Sequence, residues 1–229
     1  MELYKSYSNS IPQKVVIVLL EILFLVIAYK ILFDTWGAIV YSWLSLPAPV
    51  GNETRNVVNF IFSCIVFLRF SFMMFFLLKR KMPLEETISV PFAFSLYYIG
   101  FALLTINDST PIHGVDFLGI TLFIVGSFIN TFSELQRHIW KQDPAHKGRL
   151  YMEGLFGYAM HINYFGDVLW VTGYAIVSRN IWAWTIPAFL FCFFVFYNIP
   201  KLDDYLKSKY KDQFEKYRLR TKKIIPFIY

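Results

Sequence analysis

Cysteine is scarce in this sequence. Its two cysteines, Cys64 and Cys192, each sit in an apolar run and form no C-x-x-C pair. A disulfide framework and a thiolate metal or redox site are therefore excluded, and both read as small core hydrophobes. Charge is scarce as well, at 17% of residues, against 56% hydrophobic and 20% aromatic. Such a balance excludes an ordinary soluble domain, which needs a polar skin around its core. There is no G-x-G-x-x-G, no P-loop and no H-E-x-x-H, so no soluble-enzyme signature and no metal-ligating set is present. Any nucleotide cofactor must be held by helices, outside a Rossmann crevice. The opening MELYKSYSNSIPQK lacks the apolar stretch and small-residue cleavage site of a secretory signal, so the first apolar segment is expected to stay as a helix.

What is present is a series of apolar runs, with a mean hydropathy of +0.46 over the chain. A bilayer core takes about 20 apolar residues per helix. Six segments come near that length: Val15–Phe33, Asn56–Leu78, Ile88–Ile106, Phe117–Ser133, Asn163–Ser178 and Ile181–Ile199. The stretch after the first, DTWGAIVYSWLSLPAPVGNET, reads as a short interfacial helix or a re-entrant segment. With the N-terminus inside, segments 1–14, 79–87, 134–162 and 200–229 carry 2, 3, 4 and 9 Lys and Arg, which is 18 of the 22. Positive charge collects on the cytosolic side of membrane proteins, so both termini are expected there. The expected fold is all-α: a polytopic membrane protein of about six transmembrane helices with a cytosolic amphipathic C-terminal helix. No repeat or second domain interrupts it, and 1–229 reads as one membrane domain. The net charge of +6 serves topology and membrane lipid, and calls for no nucleic acid.

Polar groups inside apolar surroundings are costly and need a partner or a task. Glu21 and Arg69 fall at similar depths of the first two spans, which predicts a structural ion pair. The densest polar cluster is 134–167, with Glu134, Arg137, His138, Lys141, Lys147, Arg149, His161, Asn163, Tyr164 and Asp167 at one membrane entrance. Asn163 and Asp167 are four apart and His161 and Tyr164 three apart, so on a helix each pair shares a face. Basic side chains hold phosphates and the amide and phenol offer hydrogen bonds, which makes the cluster a candidate anionic-ligand site. The alternative is a positive-inside loop whose polar residues cap a helix. The tail beyond Lys201 is amphipathic, through Leu202, Tyr205, Leu206, Phe214 and Tyr217. It reads as a helix on the membrane surface or as a lid over a cytosolic site.

At GRLYMEGLFGYAMHINYFGD (148–167) and in the stretch from Lys201 to the final IPFIY, the sequence resembles the C-terminal half of the steroid 5α-reductase and sterol reductase superfamily. The residues that carry this are Gly154-Leu155-Phe156, His161, Asn163-Tyr164, Gly166-Asp167, Lys209-Tyr210, Tyr217 and Ile225 to Tyr229. Met160 stands where the pattern has Arg, Ile162 where it has Pro, and Leu202 near the place of another Arg. The resemblance implies NADPH-dependent reduction of a lipid double bond. It assigns Asn163, Tyr164 and Asp167 to the cofactor pocket, with Glu134, Arg137, Lys141 and Arg149 near the adenosine and phosphates. It extends the set to Asp204 and Tyr217. It places the cofactor with 117–229 and the substrate, steroid-like or another apolar lipid, with 1–116. A Glu and a Tyr of the N-terminal half grip the steroid carbonyl in 5α-reductases; the sequence alone does not place that motif here. Tyr98 and Tyr164, with Tyr97 and Tyr174, are candidate acids, assisted by His161 or Glu21. The acidic pair Asp203-Asp204 keeps a second reading open. The distantly related isoprenylcysteine carboxyl methyltransferases carry two glutamates near this place and use S-adenosylmethionine. A third reading is a non-catalytic lipid-binding protein.

Overall fold

The computed structural model describes residues 9–229; the N-terminal end, expected on the cytosolic side, lies within residues 1–8, outside the described residues. The described chain is all-helical, with no named strand. We number its helices α1 (Ile11–Phe33), α2 (Trp36–Trp43), α3 (Glu53–Leu77), α4 (Leu84–Thr105), α5 (Gly114–Gln142), α6 (Ile162–Ser178), α7 (Ile181–Tyr210) and α8 (Asp212–Arg220). Five of them, α1, α3, α4, α5 and α7, are long and apolar enough to cross a membrane. Helix α6, the fifth expected span, has 17 residues, about 25 Å at 1.5 Å per residue.

Helix boundaries follow local chemistry. Helix α1 begins at Ile11, four residues before the expected Val15, with Pro12 in its first turn, a position where the missing N–H is not needed. Asn52 caps α3, its side chain accepting from Arg55 N at 3.1 Å. Helix α5 runs nine residues past the expected Ser133, so Glu134, Arg137 and Lys141 lie on a helix and not in a loop. Helix α7 continues through the expected stop at Ile199. Pro200 cannot donate to the helix ladder, and a π-turn at Phe194–Asn198 precedes it. Two further π-turns occupy Met73–Leu77 and Leu96–Gly100.

The chain forms two compact units. One reaches to Phe123 and includes Val171–Ile186; the other comprises Ile124–Trp170 and Pro187–Tyr229. In the first unit, Phe62 stacks on Phe123 at 3.7 Å and Phe101 on Tyr174 at 4.6 Å. Arg55 is fully buried and bonds Asp116 at 2.6 Å and the Val177 carbonyl at 2.6 Å. Glu21, expected to pair with Arg69, takes a hydrogen bond from Tyr98 at 3.3 Å.

Glycines bring α5 and α6 together within each unit. A Cβ at Gly173 would lie 2.5 Å from the Gly119 carbonyl in the first unit, and one at Gly166 would lie 2.6 Å from Asn130 N in the second. Backbones this close need small residues, the usual device of membrane helix pairs.

Candidate functional site

The second unit gathers most of the predicted polar cluster. Helix α5 projects Glu134, Arg137 and Lys141 at three- and four-residue spacing, hence from one face. Glu134 pairs with Arg137 and also accepts from Asn163 Nδ2 at 2.9 Å. Asn130 Nδ2 holds the Asn163 carbonyl at 3.1 Å, which ties the start of α6 to α5.

The loop between these helices is shaped by specific bonds. Gly154 adopts φ 57°, and a Cβ there would meet Gln136 Oε1 at 2.6 Å, the same oxygen that accepts from Leu155 N at 3.1 Å. No side chain is compatible with both conditions. Tyr151, Phe156, Ala159 and Ile162 form the core beneath.

The C-terminal segment closes the loop from the other side. Lys222 and Lys223 carbonyls accept from Met160 N at 2.8 Å and His161 N at 2.9 Å. Tyr217 donates to the Phe156 carbonyl at 2.6 Å. Burial raises the Tyr217 phenol above the usual tyrosine range, although Arg220 and Arg137 pull it down, so the hydroxyl remains a neutral donor at ordinary pH. Burial and then Glu153 push Tyr151 in the same direction.

His161 is buried, bonds Asp203 Oδ1 through Nε2 at 2.8 Å, and lies parallel to Tyr164 at 5.7 Å. Tyr164 in turn stacks on Phe194 at 4.3 Å, inside the π-turn of α7. π-Turns often mark functional positions because they re-aim side chains out of helical register. Here the turn supplies the ring under Tyr164.

Arg137, Lys141, His161, Asn163 and Tyr217 all line one cavity of about 50 Å³, whose apolar wall includes Met160, Leu202 and Leu206. At roughly 30 Å³ per water, the enclosed space takes one or two waters, against about 300–1,000 Å³ for a ligand pocket. Glu134 stands behind this lining as the partner of two of its members. Asp167 accepts from Trp170 Nε1 at 2.8 Å, one turn along its own helix. Arg149 and Asp204 are exposed.

Tyr98 belongs to the first unit. It is fully buried in the π-turn Leu96–Gly100, its hydroxyl on Glu21 Oε2. Glu21 is also fully buried, and its Oε1 has no hydrogen-bond partner among the described residues. A buried carboxyl oxygen without a donor is costly and calls for a ligand or a water. The Glu21–Tyr98 pairing and the Asp203 partner of His161 escaped sequence reasoning. The available signal was an acid in an apolar run and an acid on the amphipathic tail, neither of which names its partner.

A family model described as a protein of unknown function, DUF1295, matches residues 87–221. The chain is 33% identical over 92 residues to a probable O-methyltransferase, ustE, of Ustilaginoidea virens, covering 40% of this chain and 32% of that protein. It is 31% identical over 111 residues to 3-oxo-5-alpha-steroid 4-dehydrogenase 2 of Rattus norvegicus, covering 48% and 42%. With 3-oxo-5-alpha-steroid 4-dehydrogenase 1 of Bos taurus it shares 33% over 112 residues, covering 48% and 41%. The chain thus spans less than half the length of these relatives. The dehydrogenases bear out the resemblance read from the motifs.

Proposed function

Because the chain belongs to the DUF1295 family, a steroid 5α-reductase-like family, we propose that it is a membrane-embedded reductase. It transfers hydride from NADPH to a carbon–carbon double bond of a steroid-like or other apolar lipid. The observation that carries this reading is the fully buried Glu21–Tyr98 pair, whose Glu21 Oε1 is unmet among the described residues. It supplies the carboxyl and phenol that the resemblance calls for in the N-terminal half.

The chemistry assigned to the pair is polarisation of a carbonyl conjugated to the double bond. Glu21, in its protonated form, donates from Oε1 to the carbonyl oxygen, while Tyr98 O–H, held on Glu21 Oε2, orients that carboxyl and strengthens it as a donor. Both act where charge develops as the β-carbon accepts hydride, in surroundings that exclude water. NADPH, when bound, supplies that hydride; the proton for the α-carbon comes from solvent through a protein acid.

The residues of the second unit fit the cofactor's chemistry. Arg137, Lys141 and Arg149 suit phosphates. Asn163, Tyr164, Asp167, Glu134, Asp204 and Tyr217 offer bonds to ribose and amide groups, while His161 is held ready by Asp203. The cavity of about 50 Å³ is too small to enclose a dinucleotide, so binding entails displacement of the Leu202 and Leu206 side. In this reading 117–229 serves the cofactor and 1–116 the substrate, α6 is a sixth span, and both termini face the cytosol.

A side-by-side titration of the purified protein with NADPH, NADH and S-adenosylmethionine tests the assignment. NADPH should bind tightest. Tight S-adenosylmethionine binding without NADPH binding would establish the methyltransferase reading, which the ustE relative favours.

A further inference from the structure

The first unit carries a second cavity, of about 270 Å³, lined by Leu104, Asn107, Asp108, Arg179, Asn180, Ile181 and Trp182. It lies where α4 ends at Thr105 and α7 begins at Ile181, the level at which a bilayer presents headgroups. One cation and one carboxylate line it, and each keeps one polar atom in reserve. Arg179 uses Nε and Nη2 on Asp116, at 3.0 and 3.1 Å, and Nη2 also meets the His113 ring. Among the described residues its Nη1 has no bond. Asp108 takes the Thr110 N–H at 2.8 Å and the Thr110 hydroxyl, both on Oδ1, with Arg55 Nε 3.5 Å from the same atom. Its Oδ2 has none.

The frame around these two groups is fixed. Asn180 donates to the Leu104 carbonyl at 3.1 Å and accepts from Trp182 N at 3.0 Å, which joins the two helix ends at the rim. Arg179 is held at φ 53°, a conformation rare for a side chain of this size, by its paired bonds to Asp116. Trp182 is 69% exposed and Ile181 78%. An indole at this level both anchors in the interface and attracts cations to its face.

We propose that this cavity binds a zwitterionic phosphoammonium headgroup, that of a phosphatidylethanolamine. The phosphate meets Arg179, the primary ammonium meets Asp108 Oδ2 beside Trp182, and the acyl chains follow the apolar rim at Ile181. The space equals roughly nine waters at about 30 Å³ each, which suits a headgroup of about eight heavy atoms. An anionic headgroup would leave Asp108 opposed by like charge. A quaternary ammonium would have no N–H for Oδ2. The site is independent of the hydride chemistry proposed above.

Native mass spectrometry of the purified protein titrated with phosphatidylethanolamine, phosphatidylcholine and phosphatidylglycerol tests the proposal. Phosphatidylethanolamine should bind about tenfold tighter than either of the others, the size of one good charge-assisted bond. Asp108→Asn should reduce phosphatidylethanolamine to the level of phosphatidylcholine and leave phosphatidylcholine unchanged. Trp182→Leu, on a mostly exposed side chain, should weaken both amines and spare phosphatidylglycerol, and it serves if Asp108→Asn does not fold. Soluble phosphoethanolamine should compete only at much higher concentration; equal affinity would make a free solute, not the lipid, the ligand. Binding of the three lipids without preference, or a preference untouched by both substitutions, overturns the proposal.

Discussion

At the scale of single residues, the most informative group is Glu21. Its carboxyl is fully buried, one oxygen takes the Tyr98 hydroxyl at 3.3 Å, and the other is unmet among the described residues. Were the pair structural only, Tyr98→Phe would orphan the second oxygen as well and cost about 1–3 kcal/mol of stability, with turnover per folded molecule unchanged. If the pair polarises the substrate carbonyl, Tyr98→Phe and Glu21→Gln should each lower kcat by roughly 10²–10⁴-fold. NADPH affinity should stay as in the parent, since the groups proposed to hold the cofactor are in the other unit. Steady-state kinetics beside a binding titration separates the two outcomes. Tyr217 makes a different test. Its phenol sits above the ordinary tyrosine range in the folded state, chiefly through burial. The unfolded chain therefore loses this proton first, near pH 10, and stability contributed by the neutral phenol declines as pH rises beyond that point. Thermal melting between pH 9 and 11 should show a steeper loss for the parent than for Tyr217→Phe. At pH 7 the same variant should lose about 0.5–1.5 kcal/mol with its bond to the Phe156 carbonyl.

At the scale of elements, the contact between α5 and α6 decides whether the site exists. It presents Asn130 and Glu134 to Asn163 and depends on the absence of side chains at Gly126 and Gly166. A methyl at Gly166 would sit 2.6 Å from Asn130 N and 2.8 Å from the Gly126 carbonyl, both rigid backbone. The helices must part, so Gly166→Ala should destabilise by about 1–3 kcal/mol and weaken NADPH as well. Gly114→Ala is the control. Nothing lies within 4 Å of its would-be Cβ, and exchange in a helix should be neutral or favourable by up to about 1 kcal/mol. Melting temperatures in one detergent compare the two directly. Equal effects would show that the close approach of the helices is not what limits substitution at Gly166.

At the scale of the whole molecule, the question is how the chain crosses the membrane. Among the described residues five helices qualify by length and apolarity, and α6 is the short one at 17 residues. Six crossings put 18 of 22 Lys and Arg on one side, as the positive-inside bias requires. In a variant lacking Cys64 and Cys192, single cysteines at Lys81, Lys147 and Lys216 should react only with reagents admitted to the cytosol. Those at Asn52 and Asn107 should react from the opposite face. Labelling of Lys147 and Asn107 from the same side would rule out the six-span arrangement at α5, and labelling of Lys147 and Lys216 from opposite sides would rule out α6 as a span.

Sequence alone determined the helical class, the location of the spanning helices and the cluster at 134–167. Apolarity is summed along the chain, and a bilayer reads it segment by segment, so these properties are local and additive. Helix ends were legible only to within several residues, because α5 and α7 continue past their apolar cores wherever a packed neighbour rewards the extra turns. Partners were the part that tertiary structure decided. His161 and Asp203 are 42 positions apart, and Glu21 and Tyr98 are 77 apart. An isolated acid in an apolar run announces that a partner must exist, since the cost of its burial is local. Which group satisfies it depends on which helix faces packing brings together. On that criterion Tyr98, and not the equally apolar-flanked Tyr97, is the hydroxyl that meets Glu21 Oε2.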